Sequence, residues 1–138
     1  MNARIRELIA KYEKHNSFTH MPLTDSIIRE AKADLGINIP TQFIEFLNSY
    51  SHGGIGGIEI LGIGFDGSAI FLEETMEYRE EGLPNNLLVV ENCDEWLYCI
   101  VCETNEVVSW STDGEMVVEY PSFDDYLFDR LNDAVENL

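Results

Sequence analysis

The sequence predicts an α+β fold, with N-terminal helices followed by a mostly antiparallel sheet and a closing C-terminal helix. Two observations carry this. Up to residue 50 the apolar side chains recur every three or four residues, the period of a helix with one buried face. From Ile58 to Tyr120 they come instead in short runs bounded by glycines and turn residues, and the helical spacing returns after Ser122. Helices grouped in sequence, rather than alternating with strands, argue against a doubly wound parallel sheet.

Taken in order, Ile5, Leu8, Ile9 and Tyr12 make an amphipathic helix over roughly residues 2–15. Thr24 or Ser26 caps a second helix, which carries Ile27, Ile28, Ala31 and Leu35 and stops at Gly36. Pro40 suits the first turn of a third helix, where Phe43, Phe46, Leu47 and Tyr50 share one face before His52-Gly53-Gly54 ends it. Ile58–Ile63 reads as a short strand, Phe71–Glu81 as a short acidic helix, and Leu87–Val90 and Trp96–Cys102 as further strands. Val107–Trp110 and Met116–Tyr120 flank Ser111-Thr112-Asp113-Gly114, a hairpin signal. Ser122, with Asp125 as its box partner, caps the last helix, whose inner face is Phe123, Leu127, Leu131 and Val135. With no internal repeat and no linker, one domain over residues 1–138 is expected.

Charge narrows the function. The formal net charge is −18, and residues 1–33 hold six of the eight basic residues but only four of the 26 acids. Arg79 and Arg130 alone oppose the remaining carboxylates. Such a surface repels phosphate backbones, so nucleic acid is excluded as a direct ligand and a basic partner is expected. The 45% apolar content separates the chain from disordered acidic segments. No stretch approaches the roughly 18 apolar residues of a membrane span. The mixed-charge N-terminus lacks the apolar run of a secretory signal, so Cys93, Cys99 and Cys102 are expected as reduced thiols in the cytoplasm.

Motifs that could carry chemistry are weak. Gly62-Ile63-Gly64-Phe65-Asp66-Gly67 has the G-x-G-x-x-G spacing of a dinucleotide loop, followed by Glu91 at a strand end. Asp66, Glu73 and Glu74 would face the pyrophosphate, no lysine or arginine lies nearby, and no further βα units follow. Cys99 and Cys102 have C-x-x-C spacing, but on a strand residues three apart point to opposite faces, so both read as core. His15, His20 and His52 are scattered without ligand spacing. Adjacent acids such as Glu73-Glu74 read as solvated faces. No cofactor, no metal and no enzymatic activity are expected.

One stretch is more specific: Ile28 to Leu47, with Leu35-Gly36, Ile39-Pro40 and Phe43-x-x-Phe46-Leu47, followed by Tyr50 and Gly53-Gly54. It resembles the signature of the SUKH superfamily, which includes the fungal cell-wall-assembly and killer-toxin-resistance proteins. Leu61-Gly62 before Asp66, Thr75-x-x-Tyr78-Arg79, Leu83-Pro84 leading to Leu88-Val89-Val90, Val107-Val108-x-Trp110 and Phe123-x-x-Tyr126-Leu127 extend the similarity over about residues 25–131. The signature specifies a fold and carries no catalytic residues. Many small bacterial members resemble immunity proteins that neutralise a toxin encoded beside them, often a nuclease. The resemblance therefore implies an immunity protein that binds a cognate basic toxin domain through its acidic surface. An intracellular scaffold or regulatory domain recognising a basic partner segment is the alternative.

The loops after the strands are the expected interface. Asp66 lies in the glycine turn, Asp94, Glu95 and Trp96 lie between two strands, and Glu103, Glu106 and Asp113 stand at other strand ends. Trp96 and Tyr98 are candidate aromatic anchors. Core packing is the other reading of both.

Overall fold

The computed structural model describes residues 1–138. Helix α1 (Ala3–Tyr12) is capped by Asn2, whose side chain accepts from the Ile5 N–H. Thr24, rather than Ser26, caps α2 (Asp25–Glu30) by accepting from the Ile27 N–H. The helix continues as one π turn, Ala31–Leu35, and stops at Gly36, whose φ of 70° is the left-handed conformation that glycine adopts without strain. After Pro40, α3 (Thr41–Ser49) buries Phe43, Phe46 and Leu47. Helix α4 (Ile70–Arg79) precedes the sheet, and α5 (Phe123–Glu136) closes the chain behind a Ser122 cap.

The sheet is a four-stranded antiparallel meander in the order β1 (Leu87–Asn92), β2 (Leu97–Val101), β3 (Val107–Trp110), β4 (Met116–Tyr120). The fold is therefore α+β, as the sequence predicts. Both faces of the sheet are partly covered. Tyr98 and Tyr120 meet Tyr126 of α5 on one face, while Tyr78 of α4 meets Trp110 on the other. The outer edge of β1 is closed off, because Val89 N–H donates to Thr75 Oγ1 and the Val90 carbonyl accepts from Leu61 N–H. The outer edge of β4 has no partner strand. Between the helices and the sheet, the aromatic rings of Phe43, Phe46, Phe71 and Phe123 pack edge-on or stacked at the centre of a core of 33 residues.

Several expectations need correcting. Ile58–Ile63 is not a strand of the sheet; it makes only isolated bridges, Gly53 with Ile60 and Ile63 with Ala69. The reason is steric as well as topological. Gly62 lies so close to the Ser51 carbonyl that a Cβ there would sit 1.5 Å from it, so the segment is held against the α3 exit rather than in a ladder. Its apolar side chains Ile60, Leu61 and Ile63 are nonetheless buried, which is why it reads as a strand. Ile28 faces solvent, because the helix presents Ile27, Ala31 and Leu35 inward. In α5 the buried positions are Phe123, Tyr126, Leu127, Leu131 and Ala134, while Val135 is half-buried. Cys102 falls just beyond β2 and is half-buried, so only Cys99 of the C-x-x-C pair is core.

Candidate functional site

An antiparallel meander puts alternate turns at the same end of the sheet. The β1–β2 turn, with Asp94, Glu95 and Trp96, and the β3–β4 turn, with Asp113 and Glu115, therefore lie together. Glu103 and Glu106, on the β2–β3 turn, lie at the opposite end, about 15 Å away across a five-residue strand. Asp66 is elsewhere again, in the turn before α4. The seven predicted residues thus divide into a cluster of four (Asp94, Glu95, Trp96 and Asp113), the pair Glu103 and Glu106 at the far end, and Asp66 alone.

The β1–β2 turn is built to leave its carboxylates unengaged. Asp94 adopts a left-handed φ of 67° and donates its N–H to Asn92 Oδ1 at 2.8 Å. Cys93 N–H donates to the Trp96 carbonyl and Glu95 N–H to that of Cys93. The turn's backbone is satisfied by these bonds, and neither the Asp94 nor the Glu95 side chain is in any of the molecule's four ion pairs. Asp113 differs. Its Oδ1 accepts from Glu115 N–H and from Ser111 Oγ, both at 2.9 Å, and these bonds hold the carboxyl below the usual carboxylate range. Asp66 is likewise held low by bonds from the Ser68 hydroxyl and N–H. Both aspartates shape turns while keeping a negative charge.

Trp96 is 38% exposed and so is not the core residue that one reading made it. Its ring meets Tyr98 edge-on at 6.2 Å, and Tyr98 in turn packs on Tyr126 at 5.3 Å beneath the Arg130 guanidinium. Under them lies Glu91, only 4% exposed, which accepts from Arg130 Nε at 2.9 Å, Arg130 Nη2 at 2.6 Å and the Tyr126 hydroxyl at 2.8 Å. Trp96 is the exposed end of an aromatic ladder rooted in a buried ion pair, which gives a rigid platform. Tyr98, half-buried, is a rung of that ladder.

Beside Trp96 runs a shallow groove of about 340 Å³, lined by Glu95, Ser109, Glu115, Val117 and Glu119. Glu115, Val117 and Glu119 are contributions the sequence reading missed. Met-Val-Val-Glu-Tyr looks like a buried strand, but Met116, Val117 and Val118 are 51%, 46% and 57% exposed. Strand β4 exposes apolar side chains on both faces, Val117 between the carboxylates of Glu115 and Glu119 on one and Met116 and Val118 on the other, a departure from simple alternation. No cation neutralises this end. Beyond residue 33 the two arginines are both committed, Arg130 to Glu91 and Arg79 to the Asn85 carbonyl at 2.6 Å.

Elsewhere the motifs resolve into structure. In the G-x-G-x-x-G segment, Gly62 is the close approach to Ser51 described above, Gly67 is a turn residue with φ of 83°, and α4 begins only at Ile70. Gly62 N–H donates to His52 Nδ1 at 2.9 Å, leaving the Nε2–H of that tautomer to donate to Glu59 at 3.1 Å, so His52 pins the glycine loop. No three His, Cys, Asp or Glu side chains converge as metal ligands. No helix is long and apolar enough to cross a membrane.

The thiols are poor nucleophiles. Burial, reinforced by the Glu91 charge, pushes Cys93 up to about 12, burial pushes Cys102 up to about 11, and Cys99 is raised further by nearly complete burial. Native protein at pH 8 should therefore react with iodoacetamide about a hundredfold more slowly than unfolded protein, even at Cys102. Mass spectrometry of quenched time points checks this; rapid native labelling of any cysteine would contradict it.

Two comparisons bear on identity. A family profile described as SMI1-KNR4 cell-wall matches residues 5–132. Among solved structures, the crystal structure of a protein from Pseudomonas syringae pv. tomato is similar, with a TM-score of 0.65 and 24% identity, covering 85% of this chain and 89% of that one. At that identity the likeness speaks for the fold alone. The profile, in contrast, spans nearly the whole chain, including the left-handed Gly36, the Pro40 entry and the buried Phe43, Phe46 and Leu47. The chain belongs to the SMI1-KNR4, or SUKH, family.

Proposed function

We propose that this protein is a bacterial immunity protein, acting in the cytoplasm as one 138-residue domain, that binds and neutralises a cognate basic toxin domain of the nuclease type. The observation that carries the reading is the un-neutralised carboxylate cluster of Asp94, Glu95, Asp113, Glu115 and Glu119 around a rigid, exposed Trp96. A nuclease must present a basic surface to its substrate, and carboxylates arranged on turns meet that surface as phosphates would. Steering by such a field raises association rates by about 10–10³-fold. Affinity requires more than charge, and Trp96 in its groove is the anchor. Asp66, Glu103 and Glu106 extend the field without joining this cluster.

Co-expression with the toxic C-terminal domain of a neighbouring gene product tests the function. Survival that depends on this protein supports immunity; failure to rescue, with the protein folded and present, sinks it for that pair. The interface has its own test. The Asp94→Ala/Glu95→Ala double variant is expected to associate about tenfold more slowly at low salt, with a flatter salt dependence and a similar dissociation rate. Stopped-flow or surface-plasmon measurements that show unchanged association would move the interface away from this turn.

A further inference from the structure

We propose that the free edge of β4 is a strand-pairing site for a basic amphipathic segment of the partner protein, so that the complex extends the four-stranded sheet to five. The proposal rests on the acidic-face reading above and specifies how that face is engaged.

The two edges of the sheet are treated differently. Strand β1 is covered at its edge by α4 and by Leu61, through Thr75 Oγ1 and the Val90 carbonyl. Strand β4 hydrogen-bonds only to β3, and its other row of N–H and C=O groups is unpaired. Open edges are a template for another strand, and folded proteins usually blunt them with lysine, proline or a covering element. Met116–Glu119 has no lysine, no proline and no strand beside it; α5 meets β4 at Tyr120, through Tyr126 and Asp129, while Met116, Val117 and Val118 stay exposed and apolar.

The chemistry of the occupant follows from the two faces. By register and alternation, Glu115, Val117 and Glu119 share the face of Ser109 and Trp96, where Glu119 Oε1 accepts from Ser109 Oγ at 3.0 Å. Met116 and Val118 share the opposite face, beyond the reach of α4. One face of the edge strand is therefore acidic and the other apolar. A strand laid beside it, with lysine or arginine on the first face and valine or isoleucine on the second, pairs its charges with Glu115 and Glu119 and buries Met116 and Val118. About five or six residues suffice to match β4. A second copy of this chain is disfavoured as occupant, since it brings the same carboxylates and another net charge of −18.

The test uses the intact protein and a peptide of four alternating lysine–valine pairs, with a lysine–proline peptide of equal charge as control. In titrations followed by NMR, the backbone amides of residues 115–120 and the Trp96 indole should shift, and the lysine–proline peptide should bind at least tenfold more weakly. The Met116→Lys/Val118→Lys variant, with both changes on exposed positions, should lose at least tenfold in affinity. Equal binding of the two peptides, shifts scattered over carboxylates away from β4, or sedimentation showing a dimer with β4 protected would each overturn the proposal. With a toxin pair in hand, the same variant separates the two readings. If it still rescues cells fully, the edge is not the interface and immunity stands; if wild type fails to rescue while the lysine–valine peptide pairs with β4, immunity falls and the edge site stands.

Discussion

Replacing Arg130 with methionine is expected to destabilise the fold by about 3–5 kcal/mol, because it strands the Glu91 carboxylate in the interior. Glu91 has three donors, and two come from Arg130. Loss of the guanidinium leaves a nearly inaccessible anion supported only by the Tyr126 hydroxyl, and it removes the cation above the Tyr98 ring. Glu91→Gln should cost less. It removes the buried charge, keeps an acceptor for Tyr126, and leaves an arginine with more access to water than its partner. The Glu91→Leu/Arg130→Met pair should recover much of the loss, since an apolar pair of similar volume often replaces a buried ion pair at little cost. Urea unfolding of the four proteins checks this ordering. Equal destabilisation by Arg130→Met and the double change would mean that packing, not charge, dominates. The same experiment reaches the proposed binding face, because Trp96 stands on this ladder. Its fluorescence should change in Arg130→Met even where the protein remains folded.

The second large effect is expected at Phe43. Its ring contacts those of Phe46, Phe71 and Phe123 with centroids at 6.2, 5.2 and 5.3 Å, joining α3, α4 and α5. Phe43→Ala should cost about 3–5 kcal/mol, since rings fixed by one another cannot collapse into the space. For a chain of this size that corresponds to a fall in Tm of roughly 10–20 °C. Phe43→Leu should cost much less. A loss for alanine below about 1 kcal/mol would mean that the cluster repacks freely.

Much of the fold was legible because local rules and tertiary packing agree. Pro40 and Gly36 bracket a link between helices, Ser122 caps α5 through the Asp125 N–H, and Asp113-Gly114 turns a hairpin with Gly114 at a φ of 91°. Where they disagree, the reading failed. Ile58–Ile63 has strand composition, but close approach to Ser51 decides its path, and no local pattern encodes that. The candidate site was legible in part. Turn positions of Asp94, Glu95, Trp96 and Asp113 follow from strand assignment alone, and so does their separation from Glu103 and Glu106. The exposure of Met116 and Val118 does not, because it depends on how far α4 extends across the sheet. Likewise, a carboxylate's sequence position does not tell that Glu91 would be a buried ion-pair partner rather than one more surface acid.

The packing of α1 against α5 sets a timetable for synthesis. The sheet and α4 can assemble as they emerge, since their pairings are between neighbours in sequence. Helix α1, with Ile5 and Ile9 fully buried in the finished protein, lacks its main packing partner until α5, about 110 residues downstream, has left the ribosome. At about 5–20 residues per second, that is a delay of several seconds to tens of seconds. During it the basic helix α1, with Arg4, Arg6 and Lys11, waits for the acidic last helix. On the proposed immunity reading, the protein becomes competent only after α5 closes over α1, so a cognate toxin made beside it is safest translated later, or folding more slowly, than its guardian.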